Sequence, residues 1–303
     1  MPPTAPDEAI LRTVLYADIF DYPLTSTEIH HYLIGASFPP ETVQATLNAS
    51  PWLRARVTRA NGYVTVRDRE TLGALRDERQ RSSAALWPKA RRWAYLTGCL
   101  PFVRLVAVTG ALAVDNAPPG DDIDFLIVTA PERVWLTRAF AIGLVYLARR
   151  SGVGLCPNYV LSQSALAQEP RNLFIAHDLA QMVPLVGRAV YAEMRAANLW
   201  ADDYLPHARR PLREEPELAP RGVLRVLKRL GEWLLSRRLG DVLEAWERRR
   251  KLHKFASAAL QPKSAARLDN ERVKGHFNDH GGRILHEFEL RILRHYGSTD
   301  AAD

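Results

Sequence analysis

Cysteine is scarce in this 303-residue chain: Cys99 and Cys156 are the only two. So few, so far apart, make neither a disulfide framework nor a zinc set, and a reducing compartment is the simplest expectation. Long apolar runs are missing too. The longest, residues 139–148, falls well short of the roughly 20 residues a helix needs to cross a bilayer. The opening residues Met1-Pro2-Pro3-Thr4-Ala5-Pro6-Asp7 lack a basic segment followed by an apolar core, so no secretory signal is expected. The resulting expectation is a soluble cytoplasmic protein with no membrane partner. Acidic charge is in deficit, 34 Asp and Glu against 41 Lys and Arg, which leaves a net charge of +7. Such an excess permits nucleotides, nucleic acids or acidic surfaces as partners and selects none of them.

What is present is ordinary globular composition, 47% hydrophobic and 25% charged, with length enough for more than one domain. Residues 8–20 carry Ile10, Leu11, Val14, Leu15 and Ile19 at helical spacing. Thr25 followed by Glu28 reads as a capping box, and Pro39-Pro40-Glu41 opens a third helix with Val43 and Leu47 inward. Asn61-Gly62 between Arg56–Thr58 and Tyr63–Val66 is a hairpin turn signal. Three helices closed by a hairpin resemble a winged helix-turn-helix over residues 1–68. The third helix, Glu41-Thr42-Val43-Gln44-Ala45-Thr46-Leu47-Asn48, has no Lys or Arg. DNA binding is therefore the less favoured use of this unit, since phosphate contacts need cations.

Residues 69–102 read as a helical connector, a solvated basic helix resting Trp87 and Trp93 on the core. A core of residues 103–204 follows. Pro131 is expected at the first position of a helix whose inward stripe is Leu136, Phe140, Leu144 and Leu147. Residues 155–161 read as a strand, and 178–198 as a helix that Pro184 kinks or interrupts. Residues 205–220 read as a surface linker, and 221–303 as a helical C-terminal region with dense Arg and Lys.

The densest signal lies between the first two strands of the core. Val106-Ala107-Val108-Thr109-Gly110-Ala111 is an apolar run ending in a small-residue turn, and ten residues later Asp122-Ile123-Asp124 opens a second apolar run. Positions i and i+2 of a strand share a face, so the two carboxylates repel unless a cation lies between them. Hard oxygens at that spacing suit Mg²⁺, which takes one or two carboxylates plus substrate phosphates. The small turn leaves backbone N–H groups open to a phosphate. The plain alternative is a loop capped by Asp121 and Asp122.

This motif resembles the nucleotidyltransferase superfamily of the DNA polymerase beta type, in its minimal bacterial form. The resemblance implies an α+β fold, a small mixed sheet flanked by helices. It implies NMP transfer from an NTP to an acceptor, whether small molecule, RNA or protein. Asp122 and Asp124 would then be catalytic and hold Mg²⁺, with Thr109, Gly110 and Ala111 on the nucleotide. Two departures from the pattern stand out. Ala111 replaces the family's Ser or Gly, and the strand Leu155-Cys156-Pro157-Asn158-Tyr159-Val160-Leu161 has no third acid. Asn158 and Lys274 are candidate accessory residues, and Asp121 or Glu169 candidate substitutes for the missing acid. The departures keep a second reading open: a degenerate nucleotide-binding regulator, or an antitoxin-like protein, with a winged-helix interaction module. Lys274-Gly275-His276-Phe277-Asn278-Asp279-His280 reads either as a phosphate-facing cluster or as the cap of the last helix.

Overall fold

The structure is a computed structural model that describes residues 2–259, 267–274 and 280–297, without the side chains of 254–259 and 267. Helix α1 (Ala5–Asp18) starts at a capping box in which Thr4 and Asp7 exchange hydrogen bonds. Thr25 and Glu28 form the second box, as expected, and open α2 (Ser26–His31). Helices α3 (Pro40–Ala49) and α4 (Pro51–Arg54) follow, then the hairpin of β1 (Val57–Ala60) and β2 (Tyr63–Val66). Asn61 and Gly62 take φ of 53° and 83°, the left-handed pair that a tight two-residue turn requires.

A 27-residue helix, α5 (Leu72–Gly98), leads to the main sheet. Next come β3 (Val103–Thr109), α6 (Gly110–Ala113), β4 (Ile123–Thr129), α7 (Val134–Arg150) and β5 (Leu155–Ser162). Then follow α8 (Leu173–Gln181), β6 (Val183–Val186), α9 (Arg188–Ala196) and α10 (Ala201–Tyr204). The last third holds α11 (Gly222–Leu235), α12 (Arg238–Ala259), β7 (Arg267–Leu268), β8 (Arg272–Lys274) and α13 (His280–Gly297). The sheet order is β6-β3-β4-β5-β8-β7. Strands β4 and β5 run parallel across the α7 crossover, and the other pairs are antiparallel. The chain is thus α+β with a mixed sheet.

Alternation along the strands divides the core into two. Leu105, Ala107, Leu126, Val128 and Leu161 pack on the side of α1, α8 and α13. Val106, Val108, Phe125, Ile127 and Val160 pack against Trp87 and Trp93 of α5 and Trp135 of α7. The first of these cores runs without a break from the N-terminal helices into the sheet.

Several expectations need correction. The helix expected over 178–198 is interrupted at Pro184, not kinked: Val183–Val186 form an edge strand, buried throughout, and an edge is where a sheet accepts a proline. Pro131 lies in the turn before α7, whose first residue is Val134. Of the stripe expected on α7, Leu136 is buried and Leu144 packs on the second core, but Phe140 is half-buried and Leu147 exposed; Trp135, Ala141 and Ala148 complete the buried face. The C-terminal region also contributes two strands, and β8 pairs with β5. Arginines of α5 are not all solvated. Arg76 is buried, 2.9 Å from Glu28, with its guanidinium over the Tyr22 ring and a hydrogen bond to the Val114 carbonyl. Residues 205–220 are pinned by a buried Glu215, which takes hydrogen bonds from Arg91 and Arg213.

Candidate metal and nucleotide site

Strand β3 ends at Thr109, which stands opposite Asp124 in the antiparallel ladder. The chain then turns sharply. Gly110 takes φ of +69°, where an L side chain is strained, and no side chain caps the short α6 that begins there. A Cβ on Gly110 would lie 2.8 Å from Asp124 Oδ2. The missing side chain therefore makes room for the carboxylate as well as for the turn. Ala111 is half-buried and its methyl packs on the second core, so the residue after the turn serves packing.

Asp122 immediately precedes β4 and is exposed. Its neighbour across the parallel pairing is Gly154, whose carbonyl accepts the Ile123 amide at 3.0 Å. A Cβ on Gly154 would fall 1.7 Å from Asp122 Oδ1 and 3.3 Å from the Asp122 Cα. Each aspartate thus rests on a glycine of an adjacent strand or its approach. The spacing in the sequence locates Gly110; only the β4–β5 pairing reveals Gly154.

The charges that act most on Asp124 are negative, while Arg138 faces Cys156 and Arg79 faces Asp121. Burial, then the negative charges of Asp121, Asp122 and Asp178, push the Asp124 carboxyl up to about 6, against a hydrogen bond from the Cys156 thiol. Burial and the same carboxylate push the Cys156 thiol up to about 12. Asp121 is raised by burial. Among the described residues neither Asp122 nor Asp124 forms an ion pair. Converging carboxylates with no paired cation are the donor set a hard divalent ion relieves. Among the described residues no three His, Cys, Asp or Glu stand close enough to hold a metal by themselves. The donors fit a Mg²⁺ that keeps water or phosphate in its other positions, and do not fit a closed protein cage.

The other candidates are scattered. Asn158 sits in β5 beside the irregularity that separates the Asp124–Cys156 and Leu126–Tyr159 pairings, and its Oδ1 is buried without a hydrogen-bond partner. Lys274 ends β8, with its ammonium 5.7 Å from the Tyr159 ring centroid. Glu169 is exposed. Asp115 is structural, accepting the Trp87 indole N–H at 2.6 Å and pairing with Arg213 at 3.1 Å. Residues 275–279, which include His276, Asn278 and Asp279, lie outside the described residues.

Sequence reasoning missed Asp178 of α8. Solvent reaches its side chain, while the surrounding protein raises its carboxyl and Lys274 opposes that rise. Its charge acts on Asp124, and nothing in a helical run of sequence signals this. Also unforeseen is a groove of about 620 Å³ that Asp121, Gly152 and Gly154 share with Arg81, Ser82 and Lys89 of α5. Both cations are exposed there. No protein-family description, curated protein or solved structure matches this chain.

Proposed function

We propose that the chain is a Mg²⁺-dependent nucleotidyltransferase, moving an NMP group from an NTP to a hydroxyl acceptor. One observation carries this reading. A left-handed glycine turn lies directly beside a carboxylate that is crowded by other acids and paired to no cation. Asp122 and Asp124 would hold the ion, and the ion would polarise the phosphates. The backbone of Thr109, Gly110 and Ala111 receives the β- and γ-phosphates, since amides that begin a helix have no acceptor within it. Gly110 and Gly154 fix the two carboxylates. Arg81 and Lys89 supply positive charge to whatever phosphate enters the adjoining groove. Catalysis here is mainly alignment and charge neutralisation.

On this reading the sheet with its crossover helix is a nucleotidyltransferase fold, and the N-terminal helices and hairpin act as a winged-helix-like interaction module. The test is transfer of label from each of four NTPs, with Mg²⁺ and with or without cell extract, comparing the wild type with Asp122→Ala/Asp124→Ala. Label transfer that disappears in the double variant supports the enzyme. The lack of a third metal-ligating side chain among the described residues favours a second reading, a nucleotide sensor that binds without transfer. Metal-dependent NTP binding with no transfer under any condition selects the sensor.

A further inference from the structure

Helix α11 is fastened to the body by its polar side chains. Lys228 Nζ donates to the carbonyls of Gly98 at 2.8 Å and Val103 at 2.7 Å. Glu232 accepts the Phe102 amide at 2.9 Å and pairs with Arg104 at 2.7 Å. Gly231 lets the helix approach closely, since a Cβ there would meet Pro101 Cγ at 2.8 Å. The apolar side is left facing out. Val223, Val226, Leu227, Leu230, Trp233 and Leu234 recur at helical spacing along one stripe, and every one is exposed, Val223 at 72% and Trp233 at 66%. Helix α12 continues the pattern with exposed Leu239, Val242 and Trp246. Nine large exposed apolar side chains on two successive helices are not the singly scattered apolar residues that a surface ordinarily carries.

Charge decides what covers this surface. Arg221, Arg225, Arg229, Arg237 and Arg238 are exposed around the stripe. None of the five forms an ion pair among the described residues. The acids of this stretch are engaged by the body: Glu232 by Arg104, Asp241 of α12 by Arg133, and Glu244 by the Trp135 and Leu136 amides. A second copy of the chain would set these arginines against their own counterparts. A nucleic acid would pair them but leave Val, Leu and Trp unburied. An anionic bilayer meets both demands, taking the apolar stripe at the acyl boundary while the arginines reach the headgroup phosphates.

We propose that α11 and the start of α12 form a docking surface for an anionic lipid bilayer, with α11 lying in the plane of the interface. No helix among the described residues is long and apolar enough to cross a membrane, and lying on one requires neither property. The expectation of no membrane partner came from the lack of a spanning run, which bears only on crossing.

The test is flotation of the full chain with phosphatidylcholine vesicles, with and without phosphatidylglycerol. The wild type is expected to float with the anionic vesicles only and to be released by salt. Leu230→Glu/Trp233→Glu is expected to abolish flotation, and Arg225→Glu/Arg229→Glu to weaken it by about tenfold or more, both with unchanged circular dichroism. Failure of the wild type to float at low salt overturns the proposal. So does flotation that neither variant alters. A dimer in vesicle-free solution that Leu230→Glu/Trp233→Glu converts to monomer also overturns it, and assigns the face to a second copy.

Discussion

Helices α1 and α11 are both 14 residues long and both carry apolar residues at helical spacing, yet ten residues of α1 are buried and none of α11. The difference lies in what each helix meets. Helix α1 turns Ile10, Leu11, Val14 and Leu15 into the core that also holds Leu105 and Leu126 of the sheet. Helix α11 turns Lys228 and Glu232 toward the same body and keeps Leu227, Leu230 and Leu234 outside. Periodicity in a sequence reports that a helix has an apolar face, and leaves open which way that face points.

The comparison makes unequal stability predictions. Truncating Leu15→Ala opens a cavity in a continuous core and is expected to cost about 2–5 kcal/mol, read from a denaturant midpoint. A smaller effect is expected from acid. His177 packs against α1, its ring stacked 4.1 Å from that of Tyr16, and burial pushes its imidazole down to about 3. The folded pKa lies below the unfolded value, so the unfolded chain takes up the proton first. Stability is full above about pH 6.5 and is lost as pH falls toward 3. Lowering the pH from 6.5 to 5 is expected to cost about 2 kcal/mol, at about 1.4 per pH unit, and His177→Phe should flatten that slope. The smallest effect belongs to Leu230→Ala, expected to stay within about 0.5 kcal/mol because the side chain is already in water. If Leu230→Ala proved as costly as Leu15→Ala, the two helices would not differ as described.

Local signals in the sequence carried much of the fold. Thr25 with Glu28, and Asn61 with Gly62, specify their structures within four residues of chain, so no distant partner is needed to read them. The Gly110 turn and the Asp122–Asp124 pair were legible for the same reason. What escaped depends on partners far away. Arg76 reads as a solvated cation until α5 brings it to Glu28. Val183–Val186 reads as helix until it pairs with β3, and Arg272–Lys274 until it pairs with β5. Gly154 carries no signal of its own in the sequence, and only the parallel pairing of β4 with β5 sets it beside Asp122. The third helix showed the reverse case: its lack of cations was plain from the start, and the structure buries Val43 and Leu47 as its spacing requires.

The site tests the account most directly through binding rather than turnover. Calorimetric titration of a non-hydrolysable NTP into the full chain, with Mg²⁺ and then with chelator, separates the metal from the protein's own groups. Mg²⁺-dependent binding is expected for the wild type. It should be lost in Asp122→Asn/Asp124→Asn and in Gly110→Val, whose side chain would strain the turn and displace the Asp124 carboxylate. Binding that persists unchanged in chelator, or in both variants, would contradict a metal and triphosphate site at these two aspartates.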